Sequence, residues 1–180
     1  GKSTLINKLV GKKISIVSHK VQTTRFCIRG IRNINLNSKI KSQIIFVDTP
    51  GIFLPKKRLE KAMVSAAWSE LKLTDKVVFI HDVSKRLDNN TKEIIKKIFQ
   101  IKSDIILVLN KIDLLPKENI LERISEIRNF YNFEEIFQIS AKNGSGCNKF
   151  TEYLANKMPA HSFFYDENTV SDLPQSILAS

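Results

Sequence analysis

The chain has 180 residues, 42% of them hydrophobic, which suits one domain with a real core. No run approaches the ~20 apolar residues of a membrane-spanning helix, and Cys27 and Cys147 stand in no metal-ligand spacing, so they read as reduced thiols of a cytosolic protein. A net charge of +11 and a pI near 9.7 point to polyanionic surroundings such as RNA or anionic lipid, or else to a Lys/Ile/Asn-rich compositional bias.

Residues 1–11, GKSTLINKLVG, place apolar side chains at 5, 6, 9 and 10, a helical spacing closed by Gly11. Gly1-Lys2-Ser3-Thr4 has the form of the tail of a phosphate loop, G-x-x-x-x-G-K-[ST], whose first five positions would precede residue 1. In that role Lys2 reaches the β- and γ-phosphates, Ser3 ligates Mg²⁺, and the N–H groups of the helix start cradle phosphate oxygens. The other reading is an exposed, frayed terminus. Residues 14–25 form a polar loop ending in Gln22-Thr23-Thr24-Arg25, where a Thr hydroxyl can complete a Mg²⁺ shell when a γ-phosphate is present. A Thr-rich connector is the alternative. Residues 26–36 and 42–48, with Asn37-Ser38 between them, read as an antiparallel hairpin.

The second strand of that hairpin delivers Asp48-Thr49-Pro50-Gly51. An Asp at the carboxyl end of a strand can hold Mg²⁺ through water, and the Gly51 N–H can bond a γ-phosphate; a plain turn is the competing reading. Residues 58–73, with Trp68, read as a helix, and Lys76–Ile80 as a buried strand with a structural His81 beyond it. Asp88 is a natural N-cap for a helix over 88–101.

The run Ile105 to Leu109 reads as a fully buried parallel strand that ends in Asn110-Lys111-Ile112-Asp113. Ligands of open α/β sheets lie beyond the carboxyl ends of the strands, which is where this tetrad falls. A buried Asp113 carboxylate there can accept from the N1–H and exocyclic amine of guanine, donors that adenine lacks at that edge, so an ATPase reading is disfavoured. The Asn110 amide can hold the loop and the N7 edge, and the Lys111 stem can cover the face of the base. Residues 117–130 form the next helix, Glu135–Ile139 the last strand, and 146–157 the final helix. Between these last two, Ser140-Ala141-Lys142 and Asn143-Gly144 bring short backbone within reach of the guanine O6, again as an N–H donor. Four such motifs in this order describe a GTP-binding α/β domain.

GKSTL, QTTR, DTPG, NKID and SAK, with their spacing, resemble the Era-like family of translation-factor-related bacterial GTPases. GKSTLINKLVGKKISIVSHKVQTTR and DTPGIFLPKKRLEKAM carry the likeness furthest, and it covers essentially the whole chain. The resemblance implies a three-layer P-loop G domain with a mostly parallel sheet and one antiparallel edge strand. It implies a phosphate-loop pair Lys2 and Ser3, a switch-one metal ligand Thr24 (or Thr23), a switch-two pair Asp48 and Gly51, and base readers Asn110, Lys111 and Asp113 helped by Ser140 and Ala141. It further implies GTP hydrolysis, Mg²⁺ and K⁺ as cations, a monomer bound to small-subunit ribosomal RNA, and a partly inner-membrane location. In such proteins a carboxyl-terminal KH domain grips the RNA. On this resemblance residues 1–159 are a G domain lacking its first, central strand, between those ending at Asp48 and His81, and residues 160–180 a linker toward a KH domain. The expectation is therefore a fragment impaired in folding and GTP binding. The alternative is a non-catalytic interaction module. Ile52 follows Gly51 where many GTPases place a water-orienting Gln, so no side-chain general base is expected.

Overall fold

Ile105–Asn110 is the strand that the rest of the parallel sheet is built on, and all six of its residues are buried. The computed structural model describes residues 1–11, 28–36, 41–47, 68 and 71–165. In chain order the elements are α1 (Lys2–Val10), β1 (Ile28–Asn35), β2 (Lys41–Val47), β3 (Val77–Asp82), α2 (Asn89–Ile101), β4 (Ile105–Asn110), a 3₁₀ turn (Ile112–Leu114), α3 (Lys117–Arg128), β5 (Glu135–Ile139) and α4 (Cys147–Lys157). Trp68 and residues 71–73 are helical, the end of the expected 58–73 helix; its remainder lies outside the described residues. So do Gln22, Thr23, Thr24, Arg25, Cys27, Asp48, Gly51 and Ile52.

The strands form a parallel sheet of order β3-β4-β5 and an antiparallel pair β1-β2. By contact density the elements also group into two units, one spanning residues 49–146 and the other 2–48 with 147–180.

In the first unit, alternation along β4 decides the packing. Ile105, Leu107 and Leu109 face a core with Val77, Ile95, Ile98, Ile120, Ile127 and Phe133, so α2 and α3 cover this side. Ile106 and Val108 point the other way and are just as fully buried, as a parallel strand requires. The strand starts are tied by one cation. The Lys76 ammonium lies 2.8 Å from both Asp104, before β4, and Glu134, before β5. Burial works against that charge, but the two carboxylates raise the Lys76 pKa overall. Asp88 caps α2 as expected, accepting from the Thr91 N–H at 2.7 Å.

The second unit packs α1 on β1, and α4 on β2 and α1. Leu5, Ile6, Leu9 and Val10 form the buried stripe of α1, joined by Ile31, Ile44, Phe150 and Leu154 among the buried residues. Gly11 (φ 76) ends α1 in the left-handed conformation that glycine adopts without strain. The Arg32 guanidinium donates to the Leu9 carbonyl, placing a cation at the negative end of the helix. Gly30 lets this happen closely, since a Cβ there would come within 2.5 Å of the Val10 side chain.

Several boundaries moved, with β1 ending at Asn35, β2 starting at Lys41 and β3 starting at Val77. The expected strand 76–80 runs on to Asp82, so His81 lies inside β3; its Nε2 sits 3.0 Å from the Lys85 carbonyl, a structural role. Parallel pairing of His81 with Leu109 and of Asp82 with Asn110 carries the strand past the end of its apolar run. The helix expected over 117–130 stops at Arg128, and β4 includes Asn110.

Candidate functional site

Because β3, β4 and β5 are parallel and in register, their carboxyl ends bring Asp82, Asn110 and Ile139 into one row. That row and the loops leaving it carry every base-reading residue expected from the sequence. Asn110 is only 3% exposed. Its Oδ1 accepts from the Lys111 N–H at 2.8 Å and from the Ala141 N–H at 3.0 Å. Two backbone donors fix which atom is oxygen, so the amide NH₂ is turned away from both loops. Asn110 is thus a staple between the β4 and β5 loops. The Ala141 N–H is thereby committed to Asn110.

Asp113 sits in the 3₁₀ turn and is exposed, not buried as the sequence reading supposed. The turn, closed by the Leu114 N–H on the Lys111 carbonyl at 3.0 Å, rolls the carboxylate outward. Its Oδ1 accepts from the Ser140 hydroxyl at 2.5 Å. That hydrogen bond is the main reason the Asp113 pKa is lowered, outweighing the opposing effect of burial. At neutral pH the group is therefore an ionised, acceptor-only carboxylate with one oxygen anchored.

Ser140 is fully buried and the β5 loop is wound tightly around it. Its N–H donates to the Ser145 carbonyl at 3.0 Å, and its carbonyl accepts from the Gly144 N–H at 2.8 Å. Gly146 makes this winding possible: φ is +75, and a Cβ would stand 2.2 Å from the Gln138 carbonyl oxygen. Lys142 is exposed on this loop and contributes to holding Asp113 ionised.

Lys111 is the sole non-glycine residue with positive φ among the described residues (φ 67, ψ 37). Its ammonium lies 2.5 Å from Asp82 Oδ2. Asp82 in turn accepts through Oδ1 from the Ser84 N–H at 3.1 Å and hydroxyl at 2.6 Å. Burial opposes ionisation of Asp82, yet these bonds bring its pKa down to about 2. Sequence reasoning missed Asp82, Ser84 and Gly146. An Asp-x-Ser at a strand end, the signature of a side-chain-to-backbone turn, was the available signal for the first two.

Of the residues expected to bind phosphate, Lys2, Ser3 and Thr4 occupy the first turn of α1, with Ser3 and Thr4 exposed and Lys2 half-buried, and Gly1 precedes them, exposed. Among the described residues no cluster of three or more His, Cys, Asp or Glu side chains is placed to hold a metal. No described helix is long and apolar enough to cross a membrane.

Residues 1–111 match the family described as 50S ribosome-binding GTPase. Over all 180 residues the chain is 43% identical to GTPase Era of Sinorhizobium medicae and 45% identical to GTPase Era of a Bradyrhizobium species. It spans 56% and 57% of those proteins, a little over half their length. Among solved structures it is similar to Era in complex with MgGDPNP and nucleotides 1506–1542 of 16S ribosomal RNA, with a TM-score of 0.79 and 36% identity over 99% of this chain and 60% of that one.

Proposed function

The chain belongs to the family of 50S ribosome-binding GTPases, and from that premise we propose that it binds GTP and GDP, hydrolyses GTP, and serves in the manner of Era as a switch on the small ribosomal subunit. The observation that carries the guanine reading is the Asn110–Asp113–Ser140–Ala141 constellation. One staple joins two loops and leaves an ionised, acceptor-only carboxylate facing solvent. Its free oxygen and the second lone pair of the anchored one suit the paired N1–H and amine donors of guanine. The outward NH₂ of Asn110 suits the N7 acceptor. The Lys142 N–H is the donor of the β5 loop that we assign to the O6 carbonyl.

Ser3, with Thr24 (or Thr23) and Asp48, would hold Mg²⁺, which when bound neutralises charge developing on the phosphates. The exposed hydroxyl of Ser3 at a helix start fits that task. Lys2 and the first N–H groups of α1 orient the β- and γ-phosphates, and Gly51 offers a backbone donor to the γ-phosphate. Ile52 has no polar atom for the attacking water, so positioning falls to backbone groups. Potassium beside Mg²⁺, a monomeric state and a peripheral inner-membrane contact belong to the same reading; the charge of +11 supports attraction to RNA and to anionic lipid.

The family description refers to the large subunit, but the Era complex, similar over nearly the whole chain, holds 16S RNA, and this favours the small subunit for the proposal. The test is phosphate release by the full-length protein with Mg²⁺ and either GTP or ATP, with and without small subunits. Release from GTP alone is expected; equal release from both nucleotides would overturn it.

A further inference from the structure

We propose that Asp82 is a positioning residue for the nucleotide base: it holds the Lys111 side chain as a lid over the purine and so sets how long a guanine nucleotide stays bound. The inference rests on the base-reading assignment above. Lys111 leaves β4 in the left-handed conformation, which aims its stem away from the path an ordinary strand-to-turn residue would take. The far end of that stem is pinned by the 2.5 Å ion pair with Asp82.

Asp82 is itself immobilised on the side away from the lysine. Two Ser84 donors take its other oxygen, and it ends a strand whose next residue, Val83, donates from its N–H to the Asn110 carbonyl at 3.0 Å. The carboxylate is therefore fixed relative to the residue assigned to the N7 edge. Anchored at both ends, the four-carbon stem of Lys111 is pre-organised as an apolar plate, and a nucleotide need not order it on binding. An unpinned lysine would sample solvent and shield the base for only part of the time. Because Asp82 itself has no part in recognising the base, its loss should act only through Lys111. The effect should appear in dissociation, for GTP and GDP alike, and leave the chemical step untouched.

The experiment measures dissociation and association rates of fluorescently labelled GDP from full-length wild-type protein and from Asp82→Asn, Asp82→Glu, Lys111→Ala and Asp82→Asn/Lys111→Ala. For Asp82→Asn we expect dissociation faster by about twofold to fivefold, the range of a partly exposed ion pair, with association unchanged. Asp82→Glu should recover part of the loss, and the double variant should dissociate no faster than Lys111→Ala. Ser84→Ala, which loosens the carboxylate without touching the lysine, should shift the rate the same way by less. Wild-type dissociation in Asp82→Asn beside fast dissociation in Lys111→Ala would overturn the inference, as would additive losses in the double variant. Unchanged dissociation in Lys111→Ala would overturn the base-reading assignment, and this inference with it.

Discussion

Replacing Asp113 by Asn should move the base preference from guanine toward xanthine. The carboxylate is ionised and acceptor-only, with Oδ1 anchored by the buried Ser140 hydroxyl at 2.5 Å. Against guanine it faces two donors; an amide at the same place offers one acceptor and sets a donor against a donor. A hydrogen bond to a charged group changes an equilibrium by about ten- to a hundredfold, so losing two at a shielded site would cost on the order of 10²–10⁴ in affinity. Asp113 is exposed in the structure, which moves the expectation to the lower half of that range, about 10²–10³. Ser140 can still donate to the Asn carbonyl, so the loop should survive the change. Xanthosine triphosphate, with a carbonyl where guanine has its amine, gains the partner that GTP loses. Titration of the full-length variant with GTP, xanthosine triphosphate and ATP measures the three affinities, with a thermal melt to confirm folding. A variant that keeps the GTP preference would refute the role of Asp113.

Two further outcomes follow from the β5 loop. The Ser140 hydroxyl lowers the Asp113 pKa, so the ionised acceptor is present above the ordinary carboxylate range and is lost only as pH falls through the lowered value. Ser140→Ala should therefore weaken GTP binding at neutral pH by about tenfold, and on acidification binding should fail at a higher pH than in wild type; GTP titrations between pH 7 and pH 4 measure both. Gly146→Ala should destabilise the protein by about 1–3 kcal/mol for the positive φ, and further for the Cβ 2.2 Å from the Gln138 carbonyl, as read by denaturant unfolding. A loss below about 0.5 kcal/mol would mean that the loop can relax without harm.

Local chemistry made much of the fold legible. The apolar spacing of GKSTLINKLVG and its closing glycine gave α1, Asp88 gave the start of α2, and Glu135–Ile139 stood out as a strand with no boundary error. The end of β3 was misread because His81 and Asp82 break the apolar run, while the pairing that continues the strand comes from Leu109 and Asn110, some 28 residues away in the chain. The site was legible as a set of residues but not as a geometry. Nothing in Asn-Lys-Ile-Asp reveals that a 3₁₀ turn exposes the carboxylate. Nor can spacing show that Asn110 accepts from an amide 31 positions later, which decides what Ala141 has left to donate. Asp82 was overlooked because its partners are a lysine on a neighbouring strand end and a serine two residues on.

Competition among nucleotides measures the base preference of the site. The full-length protein is loaded with fluorescent GDP, and GTP, inosine triphosphate and ATP are titrated against it in the presence of Mg²⁺. Inosine keeps the N1–H but lacks the amine, so the constellation of Asn110, Asp113 and Ser140 predicts GTP strongest, inosine triphosphate weaker by about ten- to a hundredfold, and ATP weakest. Equal displacement by GTP and ATP would contradict a guanine-reading site at the carboxyl ends of β4 and β5.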